Sequence, residues 1–353
     1  MTFTAAEHDA MRRALALAAT PGVPHGPNPR VGCVLLDATG NEVAEGFHRG
    51  AGTPHAEVDA LATAGDDARG ATAVVTLEPC NHTGRTGPCA EALVAAGVRR
   101  VVFAQADDNP AAQGGAATLA AAGVDVEGGL LVDEARVLNR AWTFAVEHGR
   151  PFVTWKFATT LDGRSAATDG TSRWVSSRAA RLDTHRLRGE CDVVLVGTGT
   201  VAVDDPQLTV RDEVDEPLPH QPLRVVMGER DLPADRRVFD DVAETEHLRS
   251  RDPRAVLEQL YARDRQHVFL EGGPTLAAAF LAADLVDEVV AYVAPMLLGA
   301  GRPAVGDLGV ETIGDALHLR VTDVHVLPAT GQDGAGGEDT NVRLTLTRRG
   351  RDR

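Results

Sequence analysis

Three residues in the first third of the chain have the side-chain types and the spacing of a catalytic zinc site. His55 lies in the run Pro-His-Ala-Glu-Val, and Cys80 and Cys89 border a polar, glycine-rich stretch. A catalytic zinc ion takes three protein ligands and keeps one position open for water, and one imidazole with two thiolates supplies that set. Glu57, two residues after His55, stands where zinc nucleobase deaminases carry a glutamate that moves protons without binding the metal. The residues therefore predict zinc ligands at His55, Cys80 and Cys89 and a general acid/base at Glu57.

Each part of this pattern also has an ordinary structural interpretation. A histidine two residues before a glutamate is common, and two cysteines can be buried apolar side chains or a disulfide. The combination favours zinc, because Cys80 follows a proline and the histidine lies upstream within the span of one domain. The other two cysteines, Cys33 and Cys191, lie in apolar runs and are predicted to be buried thiols in a reducing compartment.

Lys156 is a second candidate site residue, because it is the only lysine among 35 lysine and arginine residues. An ammonium group is a compact charge with a tunable pKa and does not substitute for a planar guanidinium. The alternative is that one lysine has survived by chance in an arginine-biased chain.

Composition limits the classes of partner. The formal net charge is -16 and aromatic residues make up 4% of the 353 residues, which argues against a nucleic-acid partner. The sequence shows no basic-then-apolar leader and no apolar run near the ~20 residues that a membrane span requires. We therefore expect a soluble, cytoplasmic protein without a membrane partner.

Alternating helical and strand-like runs predict a layered α/β domain over residues 1–148 and a second domain over 149–353. His55 is expected at the start of one helix and Cys89 in the first turn of another, where the helix dipole stabilises anionic ligands. In the second domain, a strand over 152–158 carries Lys156. A helix capped by Ser176 or Ser177 precedes the next strand.

A strand near residues 268–271 turns through Gly272 and Gly273 into a helix that begins at Pro274. Glycines let a ligand approach the backbone, and a helix N-terminus offers free N–H groups to a phosphate. The dinucleotide fingerprint Gly-x-Gly-x-x-Gly is absent after any predicted strand, and an ordinary turn looks similar.

Eight residues separate Cys80 from Cys89, whereas the common deaminase signature has two between its cysteines. This stretch, with His82, Gly84, Arg85 and Thr86, resembles that of the bifunctional riboflavin-biosynthesis enzymes. These join a diaminohydroxyphosphoribosylaminopyrimidine deaminase to a 5-amino-6-(5-phosphoribosylamino)uracil reductase. The resemblance runs from the first helix to Gly306. In the second half it rests on Lys156 and on segments 160–164, 172–174, 199–211 and 271–275.

This resemblance implies a cytidine-deaminase-like three-layer α/β/α domain followed by a dihydrofolate-reductase-like α/β domain, with Zn²⁺ and NADPH as cofactors. It implies zinc-dependent deamination of a phosphorylated ribosylaminopyrimidine and then reduction of its ribosyl group to ribityl. Asn28 and His48 would orient the pyrimidine, although either is equally a turn or strand-end residue. The implied NADPH-binding residues are Ala158, Trp174, Thr200, Asp204, Gly273, Pro274, Thr275, Leu276, Ala277, Ala278 and Ala279. The implied substrate-binding residues of the second site are Lys156, Ser172, Arg188, Leu208, Arg211 and Glu271.

Arg188 and Arg211 are expected to grip a phosphate as paired guanidiniums. Lys156 would stabilise charge on an oxygen or supply a proton, and whether Asp204 assists is left open. Three other classes compete: a polynucleotide deaminase, a deaminase whose second domain only binds NADP(H), and a non-catalytic zinc protein. The expected partners are a small phosphorylated pyrimidine and further copies of the same chain.

Overall fold

Contacts between residues divide the chain into two units, Met1–Gly149 and Arg150–Arg353. The computed structural model describes residues 3–23, 26–82, 87–328 and 340–348. Gly84, Arg85 and Thr86, which contribute to the family resemblance, lie outside the described residues.

The first unit is built from helices and strands in alternation. Its helices are α1 (Ala5–Ala18), α2 (Ala56–Ala64), α3 (Cys89–Ala96), α4 (Gly115–Ala121), α5 (Val132–Leu138) and α6 (Arg140–His148). Its strands are β1 (Gly32–Leu36), β2 (Glu42–Phe47), β3 (Thr72–Leu77), β4 (Arg100–Gln105) and β5 (Asp125–Gly128).

These strands form one sheet in the order β2-β1-β3-β4-β5. Strands β1 and β2 form an antiparallel hairpin, β1 is also antiparallel to β3, and β3, β4 and β5 are parallel. Successive side chains of a strand point to opposite faces. Cys33 and Leu35 accordingly pack with α2 and α3, whereas Val34 and Leu36 pack with α1. Burial on both faces confirms the predicted three layers.

Two glycines let the helices approach this sheet closely. A Cβ atom on Gly32 would lie 2.0 Å from the carbonyl oxygen of Ala14 in α1. On the other face, a Cβ atom on Gly46 would lie 2.4 Å from the backbone nitrogen of Ala60 in α2. Because α2 begins next to His55, this close packing also sets the position of the candidate metal ligand.

The second unit has a larger sheet. Its helices are α7 (Arg178–Gly189), α8 (Thr198–Asp204), α9 (Pro253–Tyr261) and α10 (Pro274–Ala282). Its strands are β6 (Phe152–Thr160), β7 (Arg164–Ala166), β8 (Val193–Gly197), β9 (Leu223–Met227), β10 (Thr245–Leu248), β11 (His267–Leu270), β12 (Glu288–Ala294), β13 (Arg302–Pro303), β14 (Leu319–Leu327) and β15 (Asn341–Arg348).

Eight of these strands form a sheet in the order β10-β9-β8-β11-β6-β12-β15-β14, and β7 pairs with β13. The six strands from β10 to β12 in that order run parallel, and β14 and β15 pair antiparallel. Helices α9 and α10 pack on one face, and α7 and α8 on the other. Parallel strands place their carboxyl ends at one edge, where α/β proteins bind ligands.

Several local details bear out or extend the sequence analysis. Of the two candidate caps for α7, Ser177 is the one that acts, since its hydroxyl accepts a hydrogen bond from the backbone N–H of Ala180 at 3.2 Å. Cys33 and Cys191 are buried thiols, as predicted. Helices α5, α6 and α8 were not predicted. The sequence of α8, Thr-Gly-Thr-Val-Ala-Val-Asp, is rich in weak helix formers, so tertiary contacts determine its conformation.

Among the described residues, no helix has the length and apolar character needed to cross a membrane.

Gly32→Ala tests the close contact between α1 and the sheet. The added methyl group would meet backbone atoms, which cannot rotate away, so we expect the free energy of unfolding to fall by about 1–3 kcal/mol. Chemical denaturation measures the change. Gly87→Ala is the matched control, because its added methyl group has none of the described residues within 4 Å. Equal stability of the two variants would contradict the close packing.

Candidate active sites

The predicted zinc ligands converge in the first unit. His55 is the N-cap residue of α2, Cys80 follows β3, and Cys89 is the first residue of α3. The Nδ1 atom of His55 lies 3.6 Å from the Sγ atom of Cys80 and 3.3 Å from that of Cys89. The three potential ligand atoms all lie within 4.8 Å of one another. One imidazole and two sulfurs at these distances suit a tetrahedral zinc ion with one open position.

The local electrostatics favour a thiolate at this position. Hydrogen bonding from Cys89 and from His55 lowers the pKa of the Cys80 thiol to about 4. The same interaction with Cys80, together with burial, raises the pKa of Cys89. The backbone N–H of Cys89, at the N-terminus of α3, points to the Cys80 sulfur at 3.5 Å. Two adjacent sulfurs that share one proton can bind a cation, which displaces that proton.

Glu57 lies in the first turn of α2, beside the ligands, and is 3% exposed. Burial raises the pKa of its carboxyl group to about 7. The side chain also interacts with Cys89. The predicted acid/base group is therefore next to the predicted ligands, shielded from bulk water.

Asn28 and His48, the predicted pyrimidine-orienting residues, contact each other. The His48 Nδ1 atom lies 3.0 Å from the carbonyl oxygen of Pro54, which can only accept a hydrogen bond. Nδ1 therefore carries the proton, and the Nε2 atom accepts from the Asn28 amide nitrogen at 3.0 Å. This assignment directs the amide oxygen of Asn28 away from His48. The His48 and His55 rings lie 5.3 Å apart, which places the pair beside the metal ligands.

The segment that carries Cys80 is held by Glu78, a residue that the sequence analysis did not assign. Its carboxylate accepts hydrogen bonds from the backbone N–H groups of Ala116 at 2.9 Å and Asp107 at 3.3 Å. Gly115 lies so close that a Cβ atom there would be 1.7 Å from the carbonyl oxygen of Pro79. A glutamate directly before Pro-Cys was a visible signal for this supporting role.

The second candidate site lies where β11 ends, beside the middle of β6. The strand register pairs Leu270 with Trp155, so Glu271 follows at the level of Lys156. Trp155 and Leu270 pack with α9 and α10, and alternation turns Lys156 and Glu271 to the face of α7. The Lys156 Nζ atom lies 4.0 Å from the Glu271 carboxylate.

Arg188, on α7, forms a two-point ion pair with Glu271, including a hydrogen bond of 3.0 Å from Nη2. Its Nη1 atom donates to the carbonyl oxygen of Thr209 at 2.8 Å. Burial raises the pKa of Glu271, but the charges of Arg188 and Lys156 outweigh burial and keep it below its usual value. Burial lowers the pKa of Lys156. The Arg188 guanidinium thus binds the Glu271 carboxylate. That Arg188 and Arg211 together bind a phosphate stays a prediction.

A cleft of about 470 Å³ opens beside this ion pair. It brings together four predicted residues, Trp174, Arg188, Leu208 and Arg211. Other lining residues were missed, among them Arg178, Arg181, His185, Gln207 and Arg237. Arg178, Arg181, His185 and Arg188 are spaced by three or four residues, which places them on one face of a helix. That periodicity was a signal in the sequence.

The predicted cofactor residues fall into two groups. Thr200 on α8 approaches the start of α10, because a Cβ atom on Gly273 would lie 3.9 Å from the Thr200 hydroxyl oxygen. A Cβ atom on Gly272 would lie 2.6 Å from Leu276 Cδ2, so a side chain there would require Leu276 to shift. The N-terminus of α10, beside this glycine turn, suits a cofactor phosphate. Gly273, Pro274, Thr275, Leu276, Ala278 and Ala279 belong to this group.

The remaining predicted residues are placed differently. Trp174 is 63% exposed, with the Arg181 guanidinium carbon 4.2 Å from its ring centre. Ser172 and Asp204 are exposed, and Ala158 is half-buried on β6. Ala277 is fully buried in the core under α10, so its side chain is unavailable to a cofactor. Leu208, in contrast, is buried but still lines the cleft.

Comparison with known proteins gives matches to both units. A family model described as the cytidine and deoxycytidylate deaminase zinc-binding region matches residues 5–105. A second model, the RibD C-terminal domain, matches residues 151–331.

The chain is similar over most of its length to curated and structurally solved proteins. It is 51% identical to the riboflavin biosynthesis protein RibD of Mycobacterium tuberculosis H37Rv, covering 84% of this chain and 88% of that protein. It is 40% identical to the Escherichia coli K12 protein of the same name, covering 90% and 96%. A structure of Acinetobacter baumannii RibD superimposes with a TM-score of 0.88 at 37% identity, covering 98% and 99%.

A Thermotoga maritima structure superimposes with a TM-score of 0.86 at 31% identity, covering 98% of this chain and 99% of that one. Its description is a diaminohydroxyphosphoribosylaminopyrimidine deaminase and 5-amino-6-(5-phosphoribosylamino)uracil reductase.

The single lysine makes the electrostatics of the second site directly measurable. Labelling the chain with ¹³C at the lysine Cε position gives one side-chain NMR signal, from Lys156. Because burial lowers the pKa of Lys156, we expect its titration midpoint below about 10.4, the value for an unperturbed lysine. Glu271→Gln should lower the midpoint further, since the Glu271 charge favours the ammonium form.

Glu246→Gln is the control, because Glu246 pairs with Arg263 instead. A midpoint at or above the unperturbed value in the unmodified chain would contradict the buried environment of Lys156.

Proposed function

The chain belongs to the RibD family of bifunctional riboflavin-biosynthesis enzymes, and we propose that each of its two units performs one of the family's two reactions. It is an enzyme that uses zinc and NADPH. It deaminates 2,5-diamino-6-ribosylaminopyrimidinone 5'-phosphate by hydrolysis and then reduces the ribosyl group to ribityl. We assign deamination to residues 1–148 and reduction to residues 149–353.

The observation that supports the first assignment is the grouping of His55, Cys80 and Cys89 next to the buried Glu57. A bound zinc ion supplies Lewis acidity that makes water a nucleophile near neutral pH. Glu57 carries one proton of the attacking water to the ring nitrogen, and it then carries the proton of the hydroxyl group formed on the ring carbon to the amine, which leaves as ammonia. Because Glu57 is not among the ligands, it stays free to move protons.

Asn28 orients the pyrimidine in this proposal. His48 accepts one amide hydrogen of Asn28, which leaves the Asn28 carbonyl oxygen for an N–H group of the substrate. His48 thus acts by fixing the amide rather than by exchanging protons. Burial lowers the pKa of His48, which keeps its ring neutral and able to accept this bond.

Reduction takes place beside the buried group formed by Lys156, Glu271 and Arg188. NADPH supplies the hydride when it is bound. Arg188 holds Glu271, and Glu271 holds the Lys156 ammonium group near the cleft. We assign to Lys156 Nζ the donation of a hydrogen bond to the sugar oxygen that gains charge during reduction. The sugar phosphate binds in the arginine-lined cleft, where Arg211 is the principal contact.

We further propose that the enzyme acts in the cytoplasm on this small substrate, without nucleic acid or membrane, and as a homo-oligomer. The net charge of -16 is unfavourable for a polyanionic partner. Val321, Val324 and Val326 are 50%, 59% and 59% exposed on β14, the last strand of its sheet. These apolar side chains support association between copies of the chain.

The function is tested by following both reactions in sequence. Purified protein with zinc and the diaminopyrimidinone ribosyl phosphate should release ammonia first, and added NADPH should then lose its absorbance. Ammonia release without NADPH oxidation would select a deaminase with a non-catalytic cofactor-binding unit. Absence of both signals would refute the proposed substrate.

Glu57→Gln separates proton transfer from metal binding. Because the amide cannot accept the proton of water, we expect ammonia release to fall by about a hundredfold to ten-thousandfold while zinc content is unchanged. Reduction of substrate that has already been deaminated should proceed normally. The matched variant His55→Ala should lose zinc itself, measured by elemental analysis. Undiminished ammonia release by Glu57→Gln would assign the proton transfer to another group.

A further inference from the structure

A fully buried arginine, Arg224 on β9, lies behind the arginine-lined cleft. Its Nη1 atom donates to the Asp240 carboxylate at 2.8 Å and to the carbonyl oxygen of Gln207 at 3.1 Å. Its Nη2 atom donates to the carbonyl oxygens of Asp240, at 2.7 Å, and of Ala243. A charge removed from water requires such partners. The Arg224 guanidinium is therefore fixed by one carboxylate and three backbone carbonyl groups.

The two oxygens of the Asp240 carboxylate accept hydrogen bonds from different partners. Its Oδ1 atom accepts from Arg224 and, at 3.2 Å, from the backbone N–H of Val242. Its Oδ2 atom accepts from the side-chain nitrogen of Gln207. An ionised carboxylate can only accept hydrogen bonds, so the amide nitrogen of Gln207 must face it. The charge of the carboxylate thus fixes the orientation of the Gln207 amide.

The amide oxygen of Gln207 consequently faces the opposite way, towards two guanidiniums of the cleft. It accepts from the Nη2 atom of Arg211 and, at 3.3 Å, from the Nη2 atom of Arg237. Both arginines line the cleft. Arg211 is held further by the Thr209 hydroxyl at 3.0 Å and by the carbonyl oxygen of Asp215 at 2.6 Å. Its guanidinium is thus fixed before an anion arrives.

Leu208, which follows Gln207, adopts the left-handed backbone conformation with φ of 60°. This conformation is unfavourable for a residue with a side chain and persists only where surrounding contacts impose it. The buried Leu208 side chain and the Gln207 contacts with Arg224 and Asp240 provide those constraints. The loop that carries Arg211 is therefore fixed on both sides of Leu208.

We propose that Gln207 is a positioning residue for reduction: its amide oxygen holds Arg211 and Arg237 on one wall of the cleft, and Asp240, held by the buried Arg224, sets the direction of that oxygen. This inference rests on the proposed role of Arg211 as a contact of the sugar phosphate. Gln207 acts through the arginines and need not touch the substrate.

Asp240→Asn tests the direction of the amide. The carbonyl oxygen of the introduced amide would stay with Arg224 and Val242, which donate, and its NH₂ group would face Gln207. The Gln207 amide must then turn over and present its own NH₂ group to Arg211, where two donors repel. We expect KM for the phosphorylated, deaminated substrate to rise roughly tenfold, with kcat and the KM of NADPH changed less than about twofold. The substrate without its phosphate should show no such rise.

The double variant Gln207→Glu with Asp240→Asn should restore binding. The introduced carboxylate accepts from the introduced amide NH₂ group on one side and from Arg211 on the other, and the net charge of the pair is unchanged. We expect its KM to return to within about threefold of the unmodified enzyme. The single variant Gln207→Glu places two carboxylates together and should bind worse than the double variant. Additive losses in the double variant would overturn the proposal.

Two further variants separate this inference from the proposed function. Gln207→Leu removes the acceptor of Arg211 without altering Asp240, so it gives the same test if Asp240→Asn does not fold. Asp231→Asn is the control, since Asp231 pairs with an arginine at an exposed position away from the cleft. A raised KM in Arg211→Ala but not in Asp240→Asn or Gln207→Leu would refute the positioning role alone. An unchanged KM in all three would refute the role of Arg211 as well.

Discussion

Removing an ionisable side chain from water is unfavourable unless partners offset the loss of hydration, and both candidate sites depend on how this is managed. At the zinc site, Glu57 is buried with little opposing charge, which holds its pKa near neutrality. At the reductase site, Lys156, Glu271 and Arg188 are grouped, so each charge has a partner. The same physical penalty thus leaves a carboxyl group that titrates near neutrality in one unit and a paired cation in the other.

The sheets determine where these charges lie. In the first unit, close packing of α2 on β2, permitted by Gly46, sets His55 next to the loop after β3. In the second unit, the parallel register of β6 and β11 brings Lys156 and Glu271 together although more than a hundred residues separate them in the sequence. The chemistry therefore depends on strand pairing as much as on the residues that perform it.

The grouping of His55, Cys80 and Cys89 could be predicted from sequence, because the residue types and spacing of a zinc site are set by the metal. The layered folds followed from the alternation of apolar runs, and the family resemblance supplied the list of cofactor and substrate residues. The contacts among those residues could not be predicted, because they depend on register. Nothing local shows that Arg188 meets Glu271, and the helix α8 has a sequence that favours other conformations. Ala277 was assigned with its neighbours, but helical periodicity turns its side chain into the core.

The absence of lysine elsewhere in the chain has a consequence for chemical reactivity. Acylating reagents and aldehydes react with neutral amines. Apart from the α-amino group, the only amine in the sequence is the side chain of Lys156. Burial increases the neutral fraction of that amine at any given alkaline pH. A small electrophile shaped for the cleft would therefore attach to the reductase centre with little competition from the surface. Because every other Lys/Arg position of the chain is an arginine, this enzyme is a suitable target for covalent ligands directed to one amine.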